Sequence, residues 1–468
     1  MTDTPENSAP SARARTVEGY RNVAAVILAL TILQAAIGGL SVVGPLALLS
    51  QGASTLKIGI IVSGYALGFL LGAHLAPQEI VRIGHIRSVA AFAAAASIAA
   101  ALLYANDAIA WWLVMQFVMG LCVAGFLASG ESWIADAAPS ESRGAILGLY
   151  LVISKVGFIA GPFLVASVPP GTATGFLIVA ALFTASLIPV SATNRGQPLP
   201  PTVEPFGALK VWRTAPSAIV AAFVAGLVNG AVLQLYSVFA GSLGTASVGQ
   251  TAALFNAFMI GGAVIAQWPA GMISDRMDRR IVIAALALVS GSAALALAIF
   301  SGMLPGSAVF VLAAIWGAGA LSYYGVAVAH AADRAAEGEA TSMMSGILMV
   351  WALGSLIGPL TASSFMSVIG AQGLFLFAAI ALFLLTAAMI VRRTGTPPVR
   401  DIEKSDFEAT SATSVAVYEL TEIGSEEAEE DPAHAFADTG VVMDEEDDLD
   451  ETALDDEDDD EEDGYWRS

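Results

Sequence analysis

Residues 274–280 read SDRMDRR and separate two long apolar runs. Five of these seven residues are charged, whereas the flanking runs carry almost no charge. Because an unpaired charge is costly inside hydrocarbon, we expect this segment to lie in water just outside a membrane. Residues 81–87, which read VRIGHIR, occupy the same place between two apolar runs about two hundred residues earlier. The recurrence predicts two copies of one membrane unit.

The composition also indicates an integral membrane protein. The hydrophobic fraction is 56% and the mean hydropathy is +0.71, both above what a soluble domain carries. The net charge of −22 comes from the end of the chain, because residues 401–468 hold 28 acidic and two basic residues. Residues 1–400 hold 18 basic and 14 acidic residues. The acidic character therefore belongs to the tail and not to the membrane part.

Twelve apolar segments are long enough to cross a bilayer as helices, which takes roughly 20 residues each. They predict an all-α polytopic membrane protein with twelve transmembrane helices, which we number spans 1 to 12. The predicted spans are 22–46, 58–76, 88–105, 109–130, 144–167, 174–192, 216–241, 250–272, 281–301, 306–329, 341–366 and 371–391.

Basic residues predict the orientation of these spans. Eighteen of the twenty Lys and Arg residues fall before span 1, in the even-numbered gaps or after span 12. The exceptions are Lys57, on the other side, and Lys155, within span 5. Since basic loops stay on the cytoplasmic side during insertion, we expect both termini in the cytoplasm. No cleavable signal peptide is expected in the polar N-terminal segment.

Glycine and proline landmarks indicate a tandem repeat of six spans. Gly72 matches Gly271, and the G-x-x-x-G-P motif of span 5 matches that of span 11 at nearly the same offset. We therefore expect two six-helix halves of parallel orientation. The predicted order is a cytoplasmic N-terminal segment (1–20), the first half (21–192), a cytoplasmic linker (193–215), the second half (216–393) and a disordered acidic cytoplasmic tail (394–468).

The segment 271–280 resembles the signature loop of the major facilitator superfamily, G-x-x-x-D-R-x-G-R-R. Four of its charged residues fit, whereas Asp278 replaces the internal glycine, and the first copy around 72–87 has lost its aspartate. Together with ESW at 131–133 and RGAILGLY at 143–150, the pattern looks like the YcaD-type branch of this superfamily. The resemblance covers roughly residues 20–393. It implies the superfamily fold, a substrate site between the halves near the bilayer midplane, and a cavity lined by spans 1, 4, 7 and 10.

Lys155 is the residue most suggestive of function. At a rise of about 1.5 Å per residue it lies about 16 Å into span 5, close to mid-membrane. A cation at that depth is by default a functional hypothesis, and an anionic substrate would supply its partner. The alternative is a Lys that meets backbone carbonyls or reaches an aqueous cavity. Neutral polar residues on the expected lining helices are further candidates for substrate contact, or else bond neighbouring helices: Gln34, Gln116, Asn229 and Gln234.

Two further residue sets carry predictions about movement. The first holds the paired glycine and proline motifs, which permit close helix packing or bending: Gly157, Gly161, Pro162, Gly354, Gly358 and Pro359. The second is a cytoplasmic gate of charged residues, some of which could instead only enforce orientation: Asp275, Arg276, Arg279, Arg280, Arg82, Arg87, Glu131, Arg143, Asp333 and Arg334.

These features predict a secondary carrier of the bacterial inner membrane that works by alternating access on a small, anionic substrate. A multidrug-type efflux carrier, or a non-transporting sensor or scaffold acting through the acidic tail, are the alternatives. We expect no enzyme activity, no cofactor and no metal, because no phosphate-binding loop or cluster of ligands occurs in the sequence. The expected partners are the lipid bilayer, the substrate and a proton as coupling ion, without nucleic acid, and the functional unit is expected to be a monomer.

Overall fold

The structure, a computed structural model, describes residues 12–138, 143–192, 208–336 and 340–395. The acidic tail from 396 onward, most of the N-terminal segment and much of the linker lie outside the described residues. The described chain is built of α-helices joined by short turns, as the sequence predicts. The helices are α1 Ala12–Ser50, α2 Thr55–Ile83, α3 His85–Leu102, α4 Ile109–Ala137, α5 Arg143–Val165, α6 Ala173–Ala185, α7 Leu187–Ser191, α8 Ala208–Thr214, α9 Pro216–Gly241, α10 Val248–Arg276, α11 Arg279–Phe300, α12 Gly306–Ala320, α13 Tyr323–Ala332, α14 Ala340–Ile369 and α15 Gly373–Gly395.

Twelve stretches of this described chain are long and apolar enough to cross a membrane, which confirms the predicted number. Helices α2 and α4 run on to Ile83 and Ala137, whereas the sequence predicted ends near 76 and 130. A loss of apolar character ends a predicted span without ending the helix, because charged residues are good helix formers. The observed spans are Val23–Ser50, Thr55–Ile83, His85–Ala105, Ile109–Ala137, Gly144–Val165, Ala173–Ser191, Pro216–Gly241, Val248–Arg276, Arg279–Phe300, Gly306–Ala332, Met343–Ile369 and Gly373–Thr394.

Glycines of spans 5 and 11 lie directly against the backbone of spans 1 and 7. A Cβ atom on Gly157 would fall 2.2 Å from the carbonyl oxygen of Thr31, and one on Gly161 would fall 2.0 Å from that of Ala35. Small residues of this kind allow helix backbones to approach closely within a membrane. The same geometry recurs in span 11, where a Cβ atom on Gly354 would fall 2.3 Å from the carbonyl oxygen of Phe223, and one on Gly358 would fall 2.1 Å from that of Leu227. The two halves thus repeat one packing arrangement.

The two charged segments of the sequence are largely helical, and the non-helical turn within each is shorter than expected. In the first, only Gly84 leaves the helical conformation, with φ of 83°, a value that glycine adopts without strain. In the second, α10 ends at Arg276 and α11 begins at Arg279. Asp278 caps α11, because its side chain accepts a hydrogen bond from the Arg280 amide at 3.0 Å. The residue that departs from the signature therefore starts the next helix.

The expectation that the whole segment 274–280 lies in water is wrong. The side chains of Arg279 and Arg280 are each 1% exposed, whereas Arg276 and Met277 are exposed. The sequence shows five charges in a short stretch but not their partners. Arg279 pairs with Asp333, which lies far along the chain, and Arg280 pairs with Asp278, two residues before it. Two of the three arginines are therefore buried with partners.

Candidate functional site

A cavity of about 140 Å³ lies between the two halves. Spans 1, 2, 4 and 5 contribute to its wall from the first half, and spans 7, 8, 10 and 11 from the second. Spans 1, 4, 7 and 10 were expected there, and spans 2, 5, 8 and 11 add to them. The lining residues are Gln34, Ile37, Leu40, Ser41, Tyr65, Ala66, Phe69, Val123, Leu127, Lys155, Phe158, Gly230, Leu233, Gln234, Ile260, Leu321, Trp351, Ala352 and Ser355.

Lys155 faces this cavity from span 5. It is the only charged residue among the described residues that form the wall. Its ammonium makes no hydrogen bond or ion pair with another residue of the described ranges. A cation in an apolar wall without a protein partner is ready to meet an anion from outside.

The four neutral polar candidates divide into two pairs. Gln34 of span 1 and Gln234 of span 7 line the cavity, and neither makes a hydrogen bond to another described residue. Gln116 and Asn229 are instead buried, and the cavity wall does not include them. Asn229 donates from Nδ2 to the carbonyl oxygen of Ala320 at 3.0 Å. This hydrogen bond joins span 7 to span 10, where α12 ends.

Aromatic rings form part of the wall, and the sequence interpretation missed them. Tyr65 and Phe69 of span 2 stack with ring centroids 6.4 Å apart, and Phe69 meets Trp351 of span 11 edge to face, also at 6.4 Å. These distances are typical of attractive aromatic pairs. Nothing in the sequence separates these rings from the many other aromatics of the apolar runs.

Hydrogen bonds join the two halves near the ends of spans 1, 5, 7 and 8. We call this end of the bundle the far side, because span 1 begins and span 12 ends at the opposite end, the termini side. Ser41 and Tyr236 place their hydroxyl oxygens 3.0 Å apart, and the Ser237 hydroxyl donates to the Ser41 carbonyl oxygen at 2.9 Å. Asn256 donates from Nδ2 to the carbonyl oxygen of Phe158 at 3.2 Å. These five residues, the far-side clasp, hold the halves together there.

Replacing Tyr236 by Phe should shift the protein toward conformers that are open on the far side. The change removes one hydroxyl of the clasp but keeps the ring, which stacks on Phe255 at 6.3 Å. A hydrogen bond contributes about 0.5–1.5 kcal/mol net, so populations should shift about two- to tenfold. Spin labels at Lys57 and Ala246, both exposed on the far side, would report the distance distribution. Tyr323→Phe is the control, because the buried Tyr323 hydroxyl has no partner among the described residues; equal shifts in both variants would contradict the role of the clasp.

On the termini side, Arg279 and Asp333 form a buried ion pair between spans 9 and 10. Arg279 donates from Nε and Nη2 to the two carboxylate oxygens of Asp333 at 2.7 and 3.1 Å. Its Nη1 donates to the Ser274 hydroxyl at 3.2 Å and lies 3.4 Å from Asp275 Oδ1. The last contact has an ion-pair distance without hydrogen-bond geometry. A bidentate pair of this kind fixes both direction and distance between two helices.

Arg280 makes a second buried cluster beside the first. Its Nε and Nη2 donate to the carboxylate of Asp278 at 3.1 and 2.8 Å, and its Nη1 donates to the carbonyl oxygen of Arg392 at 3.1 Å. Burial opposes ionisation of Asp278, but hydrogen bonds from the side chain and backbone of Arg280 outweigh it, so the pKa of its carboxyl group is lowered. Arg334 lies with Nη1 3.0 Å from Nδ1 of His330.

The gate candidates of the first half lie in different surroundings from one another. Glu131 is 1% exposed and accepts a hydrogen bond from the Tyr150 hydroxyl at 2.7 Å. Arg82 lies 3.8 Å from Glu79 at an exposed position, and Arg87 is exposed. The side chain of Arg143 lies outside the described residues. The ion pair of Arg82 with Glu79 and that of Arg279 with Asp333 each join two residues of the same half.

The sequence and the fold both match known membrane proteins. A family model described as the Major Facilitator Superfamily matches residues 26–261 and 218–428. The chain is 26% identical over 394 residues to an uncharacterized MFS-type transporter of Enterobacter sp. (strain 638), covering 81% of this chain and 97% of that protein. It is 28% identical over 386 residues to the uncharacterized MFS-type transporter YcaD of Escherichia coli O17:K52:H18, with the same coverage of both chains.

Solved structures are similar in fold at low sequence identity. The nucleoside transporter NupG superposes with a TM-score of 0.65 at 13% identity, over 80% of this chain and 100% of that one. A bacterial homolog of the human lysosomal transporter Spinster, in an inward-facing and occupied conformation, also gives 0.65, at 16% identity over 82% of this chain and 98% of that one. At such identities the likeness concerns the fold alone.

Proposed function

This chain belongs to the major facilitator superfamily and resembles its YcaD-type members, and on that premise we propose that it is a secondary carrier of a small anionic molecule. Membrane transport itself follows from the family and from the twelve membrane-spanning helices. The anionic character of the substrate, the alternating-access mechanism and the lack of any covalent chemistry are our proposal. The placement of Lys155 in the wall of the cavity carries it.

The charge of Lys155 supports an anion as the substrate. Lys155 is half-buried, and holding an ammonium partly out of water without a partner is costly. Neither a carboxylate of the described wall nor a hydrogen bond from a described residue compensates that cost. A bound anion would compensate it, while the amides of Gln34 and Gln234 offer further donors from the two halves.

The position of the cavity supports alternating access. Four spans of each half form its wall, so any rocking of one half against the other changes access to Lys155. The far-side clasp joins the two halves at one end, and its hydroxyl and amide bonds are each weak enough to be exchanged for water. We further propose that the termini lie in the cytoplasm and that the carrier works as a monomer. A proton is the proposed coupling ion, with Glu131, buried against Tyr150, as a candidate acceptor.

The two alternatives receive different support. Export of amphipathic drugs would suit a wide apolar cavity without a charge in it, but Lys155 lies in the wall and the volume is small. A sensor or scaffold acting through the acidic tail would depend on residues outside the described ranges. Deletion of residues 401–468 would separate this alternative, because a carrier should keep its transport rate without them.

Replacing Lys155 by Met should weaken binding of the anionic substrate by about tenfold or more. The change keeps an unbranched side chain, shorter by one atom, but removes a charge-assisted hydrogen bond, which contributes roughly 1.5–3 kcal/mol. A thermal-shift screen of the purified protein against metabolite and drug libraries would identify ligands, and titration of both proteins would give the affinities.

Lys57→Met is the matched control, because Lys57 is an exposed lysine at the start of span 2. It should leave the affinity within about twofold, since exposed charges interact weakly. Equal affinities in the wild type and the Lys155 variant would refute the proposal. So would a screen in which only cations or neutral amphiphiles bind.

A further inference from the structure

We infer that the substrate is a monoanion with a compact apolar body, such as a carboxylic acid that carries one aromatic ring. The inference rests on the proposed function and adds the chemical class of the molecule. Among the residues that the structure describes, the cavity wall combines one cation, two amides without a hydrogen-bond partner and several aromatic rings in a small volume. Each of these features excludes a different group of anions.

The charge of the wall sets the charge of the ligand. Lys155 supplies one positive charge, and the only other ionisable group in the described wall is the phenol of Tyr65. A dianion would therefore bring a second charge into the cavity without compensation, which is costly in apolar surroundings. An amino acid would bring an ammonium that finds no carboxylate among the wall residues described. A monoanion is the species whose charge the wall balances.

The amides of Gln34 and Gln234 complete the recognition of the anionic group. A carboxylate accepts at about four lone-pair positions, of which one ammonium fills only part. Both glutamines line the cavity, and their amide groups make no hydrogen bond to another described residue. They come from spans 1 and 7, which occupy equivalent places in the two halves. A bound carboxylate could therefore touch both halves at once.

The rest of the wall suits an apolar body. Phe158 follows Lys155 by three residues on span 5, so the two side chains share one helix face. Phe69 and Trp351 face the same cavity from the two halves, in edge-to-face contact at 6.4 Å. The wall also holds the hydroxyls of Ser41, Tyr65 and Ser355, but those hydroxyl groups of a sugar or polyol that face the rings would find no partner, and an unpaired buried hydroxyl weakens binding. An aromatic or branched aliphatic body would extend the existing ring contacts.

The volume limits the size of that body. The cavity measures about 140 Å³, close to an apolar protein cavity of about 150 Å³ that accommodates benzene. One six-membered ring therefore fills most of the space, and its acid group must reach Lys155. Nucleotides and other large anions are too big for this conformer.

The test uses the full-length purified protein and three acids, benzoate, phenylacetate and 3-phenylpropionate. Each is compared with its neutral amide, and benzoate is also compared with the dianion terephthalate and with acetate, which lacks the ring. Thermal shift and quenching of tryptophan fluorescence would report binding. At least one acid should bind about tenfold more tightly than its amide, terephthalate and acetate, because the charge-assisted contact and the ring contact each contribute.

Variants locate the binding. Lys155→Met should remove the preference for the acid over its amide. Phe69→Leu should lower the affinity for the acid but keep that preference. Lys57→Met should change neither the affinity nor the preference. Unfolding midpoints without ligand show that each variant is folded. The inference is overturned if no acid of the series exceeds its amide, or if terephthalate or acetate binds as tightly. If other anions, such as phosphate or terephthalate, then bind in a Lys155-dependent manner, the proposed function survives; if no anion depends on Lys155, it falls as well.

Discussion

Replacing Asp333 by Ala should lower the free energy of unfolding by about 3–5 kcal/mol, the cost of leaving a buried charge without its partner. The side chains of Asp333 and Arg279 are each 1% exposed and are joined by two hydrogen bonds of 2.7 and 3.1 Å. Without the carboxylate, the guanidinium of Arg279 keeps Ser274 and the more distant Asp275, and these neutralise it only in part. Equilibrium unfolding in mixed detergent micelles would measure the loss.

Two comparisons decide whether burial causes this effect. Glu79→Ala removes the partner of Arg82 at an exposed position, 3.8 Å away, and should cost no more than about 1 kcal/mol. The double variant Arg279→Met with Asp333→Leu should recover much of the stability, because apolar residues often replace a buried ion pair without loss. A loss in Asp333→Ala as small as that in Glu79→Ala would show that water reaches the pair.

Hydropathy predicted the twelve membrane spans of this chain. A membrane span leaves a signal in sequence because the bilayer demands about 20 consecutive apolar residues, whatever their neighbours in space. The repeat was visible because the glycines of spans 5 and 11 perform the same packing task against spans 1 and 7. Lys155 was identified for a related reason, since a single cation stands out in an apolar run.

Burial of the signature arginines could not be predicted in this way. Arg279 is buried against Asp333, which lies 54 residues later in the chain. A sequence scan counts each charge by itself and therefore places it in solvent. The aromatic wall of Phe69 and Trp351 was hidden for the opposite reason, because each ring is one among many apolar residues. The buried arginine and the aromatic rings of the wall are both recognised by the residues that they contact in space. The contacts Arg279–Asp333 and Phe69–Trp351 each join residues far apart in the sequence.

Gly161→Ala should lower the stability by about 3 kcal/mol, the upper end of the usual range for overpacking. The added Cβ would lie 2.0 Å from the carbonyl oxygen of Ala35 and 2.7 Å from the amide nitrogen of Gly39. Both are backbone atoms, so no side chain can turn away and spans 1 and 5 must move apart. Gly358→Ala should behave alike, because its Cβ would lie 2.1 Å from the carbonyl oxygen of Leu227. Equilibrium unfolding and the yield of folded protein would measure both.

Gly148 supplies the control within the same helix. A Cβ there meets no atom within 4 Å, so Gly148→Ala should be neutral or slightly stabilising, as expected for Ala in a helix. The comparison also separates the two interpretations of the G-x-x-x-G-P motif. If close packing is the role of Gly161, stability falls and any transport defect follows the loss of folded protein. If bending at Pro162 is its role, Gly161→Ala should keep its stability yet lose transport, an outcome that would contradict the packing role that these contacts imply.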